Sequence, residues 1–317
     1  MLFGLSCGVI AILMLIGVLL DMRLGEATRW HPLAGFGNLA IAMEKKLNAG
    51  ESRIAHGAVA WTLAVLPLVL LAWLFTFWLA QFDALLALAV HALLLYFSLG
   101  LRSLRDHTLP IANALMDDDL PQARLLTARI VSRDTRQAEE SDLAKAGVES
   151  LLENGNDAVF GTLFWFVLAG GPGVVLFRLA NTLDAMWGYR TQRFNAFGRV
   201  AARIDDVLNF IPARLTALSY ALLGNTRQAW QCWRVQAPAW SSPNAGPVMS
   251  AGAGALGISL GGAAIYDGEV EQRPPLGIGP AATGKDIARA WRLVVLTTAL
   301  WLVLICIAAV IAGIINA

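Results

Sequence analysis

Charge is scarce in this chain. Of 317 residues only 15% are Asp, Glu, Lys or Arg, against roughly 25% in an average soluble domain. Hydrophobic residues make up 57% and the mean hydropathy is +0.58, which excludes an ordinary soluble domain and implies a polytopic membrane protein with a substantial polar part. The net charge of +1, with no dense basic stripe, excludes a nucleic-acid binder. Cysteine is short as well. Cys7, Cys232 and Cys306 are too scattered for a zinc motif or a disulfide framework and are expected to be packing residues. The four histidines form no H-E-x-x-H, and no C-x-x-C occurs. His91, inside an apolar run, reads as hydrogen-bonded packing.

Long apolar runs are abundant. Residues 2–20, 57–80, 84–101 and 293–315 are each long enough to cross a bilayer. The second and third are joined only by Gln81, Phe82 and Asp83 and must form a tight hairpin. No Lys or Arg precedes Arg23, so the first run lacks the positive leader of a secretory signal. Two further runs, 158–183 and 207–223, are interrupted by GGPG at 170–173 and by Pro212 and Arg214. They are expected to be re-entrant or interfacial, because broken helix is allowed at membrane depth where protein surrounds it.

The expected class is therefore an all-α, polytopic membrane protein with about four full spans. Residues 1–101 carry three spans and a loop at 21–56, 102–157 form a helical cytoplasmic excursion, 158–292 hold the broken helices and glycine-rich motifs, and 293–317 the last span. Of 24 Lys and Arg, five fall between the first two spans, seven in 102–157 and twelve in 158–292, with none in the 81–83 turn or beyond the terminal spans. That distribution predicts both termini, Met1 and Ala317, outside and the polar mass in the cytoplasm of a bacterial inner membrane.

Polar residues concentrate between Ser132 and Arg214, and so much charge among apolar residues needs partners or a ligand. Asp119 with Pro121 marks a helix start. Arg129, Arg133 and Arg136 recur at i, i+4, i+7 and would share one helical face. Glu149, Glu153 and Asp157 repeat at i+4, where like charges repel unless a cation lies between them. Further on, SSPNAG (241–246) could form an anion nest. The glycines and alanines of 248–262 suit either close helix packing or backbone approach to a phosphate. GPAATGKD (279–286) has P-loop spacing but ends in Asp286 where a magnesium-binding hydroxyl is needed, and the PPLGIG before it does not read as a strand. Carboxylates, arginines and amides facing the cytoplasm suit a magnesium-dependent reaction on phosphates.

Several blocks, in order, make the chain resemble the adenosylcobinamide-phosphate synthase family (CobD/CbiB) of cobalamin biosynthesis: DMRLGEATRWHPLAGFG, SRDT, VESLLENGNDAVFG, NTLDAMWGY, FGRVAARIDDVLNFIPARLTAL, SPNAG with AGALGISLGG, and IYDG at 265–268. They span almost the whole sequence. One departure is Gly161-Thr162, where an Ala-Pro-like pair is expected. The resemblance implies an amide ligase joining adenosylcobyric acid to (R)-1-amino-2-propanol or its O-phosphate, with ATP and Mg. Glu149, Glu153, Asp157 and Asp205 are then candidate catalytic carboxylates, and Glu153, Asp157, Asp205 and Asp206 candidate metal ligands. Arg133, Asp134, Arg136, Asn154, Asn181, Asp184, Arg203, Asn209, Arg214, Ser242 and Asn244 are candidates for binding substrate or phosphate. Other cobamide-assembly enzymes are expected partners. The competing class is a non-enzymatic membrane scaffold or transporter, akin to the shorter relative linked to beta-lactamase induction. Retention of SRDT, the Glu-Asn pair, NTLD, the Asp pair and SPNAG favours the enzyme.

Overall fold

Five helical stretches are long and apolar enough to cross a membrane: Cys7–Leu24, Arg53–Phe82, Ala84–Met116, Glu140–Trp187 and Gly284–Ile315. They belong to a computed structural model that describes residues 4–26, 31–50, 52–266 and 268–315. Met1, Ala317, Arg29 and the Asp of the IYDG block lie outside the described residues. The all-α polytopic expectation holds, with one antiparallel hairpin added. In chain order the helices are α1 (Cys7–Leu24), α2 (Pro32–Leu47), α3 (Arg53–Phe82), α4 (Ala84–Tyr96), α5 (Leu101–Met116), α6 (Leu120–Thr127), α7 (Glu140–Gly155), α8 (Gly161–Trp187), α9 (Arg199–Leu223), α10 (Thr226–Gln236), α11 (Ala245–Leu256) and α12 (Gly284–Ile315). Strands β1 (Ser259–Tyr266) and β2 (Glu269–Gly277) lie between α11 and α12.

The helices divide into two compact units that interleave along the chain. The first unit holds 1–100, 161–209 and 302–317. Its core packs Phe36, Trp61, Val65, Leu183, Trp187 and Phe197 around small residues such as Ala60, Ala64 and Ala180. The α3–α4 hairpin turns at Asp83, whose Oδ1 accepts the N–H groups of Leu85 and Leu86 at 2.8 and 3.2 Å, the side-chain cap that lets α4 start at once. In α8 the helix is broken at Ala169 (φ −140°) and Gly170 (φ 57°), where the GGPG sequence begins. The break leaves the Gly171 N–H without a helical acceptor, and buried His91 of α4 supplies one, its Nδ1 lying 2.9 Å away. His91 is thus packing, as expected.

The second unit holds 101–160 and 210–301. Asp119 Oδ1 caps α6 through the Gln122 N–H at 3.0 Å, and Pro121 lies in the first turn. Helix α6 then stops at Thr127, which corrects the expected helical face of Arg129, Arg133 and Arg136. The competing force is local and tertiary bonding of the SRDT turn. Asp134 Oδ1 accepts the Arg136 N–H at 2.9 Å, and the Asp134 N–H donates to Ile265 O at 2.8 Å, tying the turn to β1. Every residue of α11 is buried. A Cβ on Gly252 would lie 2.7 Å from the Leu152 side chain, so the glycine-alanine run serves close helix packing. PPLG (274–277) belongs to β2, which corrects the reading that no strand precedes the GPAATGKD segment. It is a hairpin strand, however, and not the buried parallel strand that carries a P-loop.

Candidate functional site

In the second unit, α7 and the β-hairpin meet at Glu149. Its carboxylate accepts Arg133 Nη2 at 2.5 Å, Arg273 Nη1 at 2.8 Å and Nη2 at 3.3 Å, and the Gly261 N–H at 2.8 Å. Glu149 is 3% exposed, and the side chains of Arg133 and Arg273 are 12% and 8% exposed. This is a buried triad with two cations on one anion. Gly261 takes its place because the β1–β2 register shifts between Leu260 and Gly262. Its φ is 72°, and a Cβ there would sit 2.2 Å from Pro274 O. The bulge turns one ladder N–H towards the carboxylate.

Beside Arg133 the SRDT turn, the start of α7 and the hairpin enclose a cleft of ≈ 230 Å³ lined by Arg133, Asp134, Thr135, Asp142 and Ile265 among others. Asp134 is gripped by Arg136 through Nε to Oδ1 at 3.0 Å and Nη2 to Oδ2 at 2.6 Å. That side-chain pairing, with the Arg136 backbone N–H, holds the Asp134 carboxyl down at about 2. Thr135 Oγ1 donates to Arg124 O at 3.0 Å and anchors the turn from below.

Beyond Glu149, Glu153 and Asp157 are partly exposed and Asn154 is exposed, its Nδ2 donating to Ser150 O at 2.9 Å. Helix α7 gives way to a π-turn over Asn156–Phe160, a form frequent at functional positions. Asn156 Nδ2 donates to Asp157 Oδ1 at 2.9 Å, while Asn156 Oδ1 accepts from buried Thr216 at 3.0 Å. Tyr220 Oη closes this set on Leu152 O at 3.3 Å. Arg214 of α9 donates to Asn244 Oδ1 at 2.7 Å and to Pro243 O at 3.0 Å. Ser242 Oγ accepts the N–H groups of Asn244 and Ala245 at 3.3 and 3.1 Å. The expected anion nest is therefore corrected: two of its donors are used by the neighbouring hydroxyl.

The first unit carries a separate polar group. Asp205, 8% exposed, accepts Asn209 Nδ2 at 3.1 Å and Asn181 Nδ2 at 3.3 Å, and Arg178 Nη1 reaches Asn181 Oδ1 at 3.3 Å. Asp206 is half-buried. Desolvation pushes its carboxyl up, partly offset by Arg203 and Arg190. Asp184 accepts the Gly188 N–H through its backbone oxygen at 2.6 Å. Among the described residues no three His, Cys, Asp or Glu side chains are gathered to hold a metal ion. Magnesium needs fewer, since it is commonly bound by one or two carboxylates plus substrate phosphates and water. Glu153, Asp157 and Asp206, partly exposed, fit that role. Glu149, closed by two guanidinium groups, does not.

Sequence reasoning missed Arg273, the second cation on Glu149. It missed the hairpin too, although the Asp-Gly pair at 267–268 between two short runs is a strong turn signal. It also missed GISLG (257–261), which spells a nucleophile-elbow pattern. That pattern requires strand, turn and helix. Here a helix ends and a strand begins, and Ser259 Oγ donates to Gly279 O at 2.6 Å.

Residues 14–294 match the family described as CobD/Cbib protein. The chain is 57% identical to "Cobalamin biosynthesis protein CobD" of Stutzerimonas stutzeri over 91% of its length and 94% of that relative. It is 51% identical to the protein of the same description in Chromobacterium violaceum over 97% of the chain and 99% of the relative. With that of Rhodobacter capsulatus it shares 36% identity over 89% and 92%. No solved structure matches. The chain belongs to the CobD/Cbib family.

Proposed function

We propose that the chain acts in cobalamin biosynthesis as a membrane-bound ligase that joins (R)-1-amino-2-propanol or its O-phosphate to the propionate of adenosylcobyric acid. The observation that carries this reading is the cleft lined by Arg133, whose Nη2 binds buried Glu149. Glu149 holds both Arg133 and Arg273, so the triad carries one surplus positive charge beside the cleft, while Asp134 and Asp142 in the lining suit an ammonium group. A space of ≈ 230 Å³ lies below the range of about 300–1,000 Å³ for drug-sized ligands. It suits a small phosphorylated amine and excludes a corrin. Shared descriptions with the relatives support the pathway.

An unactivated carboxylate does not condense with an amine in water. ATP would supply the activation as an acyl phosphate, and magnesium on Glu153 or Asp157 would screen the phosphate oxygens. The chain's own residues hold the reactants: Arg133, fixed by Glu149, lends positive charge to the cleft wall, and Asp134 and Asp142 in the same lining draw the ammonium end. A half-exposed carboxylate, Glu153 or Asp157, takes the ammonium proton so that the amine lone pair can attack the carbonyl carbon. The C–N bond forms as the C–O bond to phosphate breaks. Purified full-length chain given adenosylcobyric acid, the amino alcohol or its phosphate, ATP and magnesium should release the amide product, read by mass spectrometry. Absence of product under all these conditions refutes the ligase and leaves a scaffold or transporter.

A further inference from the structure

Between α10, the 237–244 turn and α9 lies a pocket of ≈ 470 Å³ that no step above uses. Trp230, Trp233 and Trp240 line it together with Arg214 and Arg234. Trp230 and Trp233 stand edge to face with centroids 5.3 Å apart. Three tryptophans around one concavity make a stacking surface for a flat ring system. Arg214 supplies the second observation. Its guanidinium is half-buried, lies 3.6 Å from the Phe210 ring centroid, and donates only to neutral acceptors: Asn244 Oδ1, Pro243 O and Phe210 O. Among the described residues no carboxylate ion-pairs with it. A fixed cation without a counter-ion, beside aromatic walls, calls for a ligand that is both planar and anionic.

We infer that this pocket is the nucleotide site: the adenine stacks on the exposed face of Trp230, with Trp233 edge to face beside it, and Arg214 and Arg234 receive the phosphates. The assignment rests on the ATP-dependent reading above. The pocket lies within the 300–1,000 Å³ range of small-molecule sites, room for a nucleotide and too little for a corrinoid. Its third wall also touches the triad, because the Arg273 guanidinium that binds Glu149 lies 5.8 Å from the Trp240 ring centroid. Surface tryptophans and arginines are also the mark of a membrane-interface helix. The concave grouping and the pinned Arg214 favour the nucleotide.

Equilibrium binding of ATP and of inorganic triphosphate to the full-length chain in detergent tests this. Trp230→Ala changes an exposed side chain and should weaken ATP binding between about five- and a hundredfold, the value of one base–aromatic stack, while triphosphate binding stays within twofold. Trp230→Phe should restore most of the loss. Arg214→Gln should weaken both ligands. Wild-type chain that does not bind ATP, or Trp230→Ala that binds it within twofold of wild type, overturns the assignment. So does a Trp230→Ala variant whose only defect is weaker partition onto lipid vesicles. If the wild type forms amide with ATP and Trp230→Ala leaves the KM for ATP unchanged, this inference alone fails. If ATP binds with the predicted Trp230 and Arg214 dependence and no amide forms, the ligase reading alone fails.

Discussion

Replacing Glu149 with Gln separates a structural anchor from a catalytic base at one position. The carboxylate is 3% exposed and takes four donated hydrogen bonds from Arg133, Arg273 and Gly261. Gln keeps the volume and one acceptor, so the Gly261 N–H can stay bonded. Its amide group, however, must point N–H donors at a guanidinium, and the local charge rises by one unit. Removing one partner of a buried ion pair costs about 3–5 kcal/mol. At roughly 2–3 °C per kcal/mol for a large domain, the melting point falls by roughly 6–15 °C. The assay is thermal unfolding of the detergent-solubilised chain, paired with turnover measured below the transition. Adding Arg133→Met removes one of the stranded cations and should recover part of the loss, with a coupling of about 1–3 kcal/mol. A variant that melts like the wild type but has lost turnover refutes this argument and returns Glu149 to the catalytic role the sequence suggested.

Glu153→Gln should abolish turnover with the melting point unchanged, since the side chain is partly exposed; normal activity removes it from the machinery. Asp205→Asn keeps Oδ1, which accepts both Asn181 and Asn209, but loses the Oδ2 bond to Asn209 and the charge; it should cost about 0.5–1.5 kcal/mol, together with activity, and an unchanged melt and rate refute both. For Asp134 the carboxyl is lowered to about 2, so its contribution to the turn is complete above the ordinary carboxylate value and lost as pH falls towards 2. Pepsin should therefore cut the 131–139 turn only as pH drops from about 4 to 2, whereas Arg136→Gln should be cut already near 4; identical profiles refute the pairing. Single cysteines at exposed Gln137 and Gln192 should be labelled from the same, cytoplasmic side; labelling of Gln192 from the opposite side means that the broken helix α8 crosses completely.

The spans were legible because hydrocarbon is an undemanding solvent. A run such as 293–315 needs only length and apolarity, and α12 covers it. Turn chemistry was legible where it is local, as at Asp83 and Asp119, whose side chains bond N–H groups two or three residues away. The helical register of Arg129, Arg133 and Arg136 misled for a reason that periodicity cannot carry. The bond that ends it runs from the Asp134 N–H to Ile265 O, across 131 positions of sequence. Glu149 misled similarly. Its i+4 spacing to Glu153 placed it with the acids, yet its partners Arg133 and Arg273 come from sixteen positions before it and 124 after.

Arg273 shows why the finer site lay beyond the sequence. It is a single cation in EVEQRPPLG, with no motif around it. Only the hairpin makes it a neighbour of Glu149, and only the bulge at Gly261 lets the opposite strand add its N–H to the same carboxylate. This one guanidinium bonds the Glu149 carboxylate and lies beside Trp240 of the tryptophan pocket. Substituting it therefore alters two sites through one side chain. Arg133→Lys differs from that. Its Nη2 bonds Glu149 while its buried Nε has no partner, so Lys at 133 should lower stability through the lost hydrogen-bond geometry while leaving the Trp240 wall and ATP affinity untouched. A Lys variant of normal melting point with a raised KM for the phosphorylated amine would instead put Arg133 in direct contact with substrate.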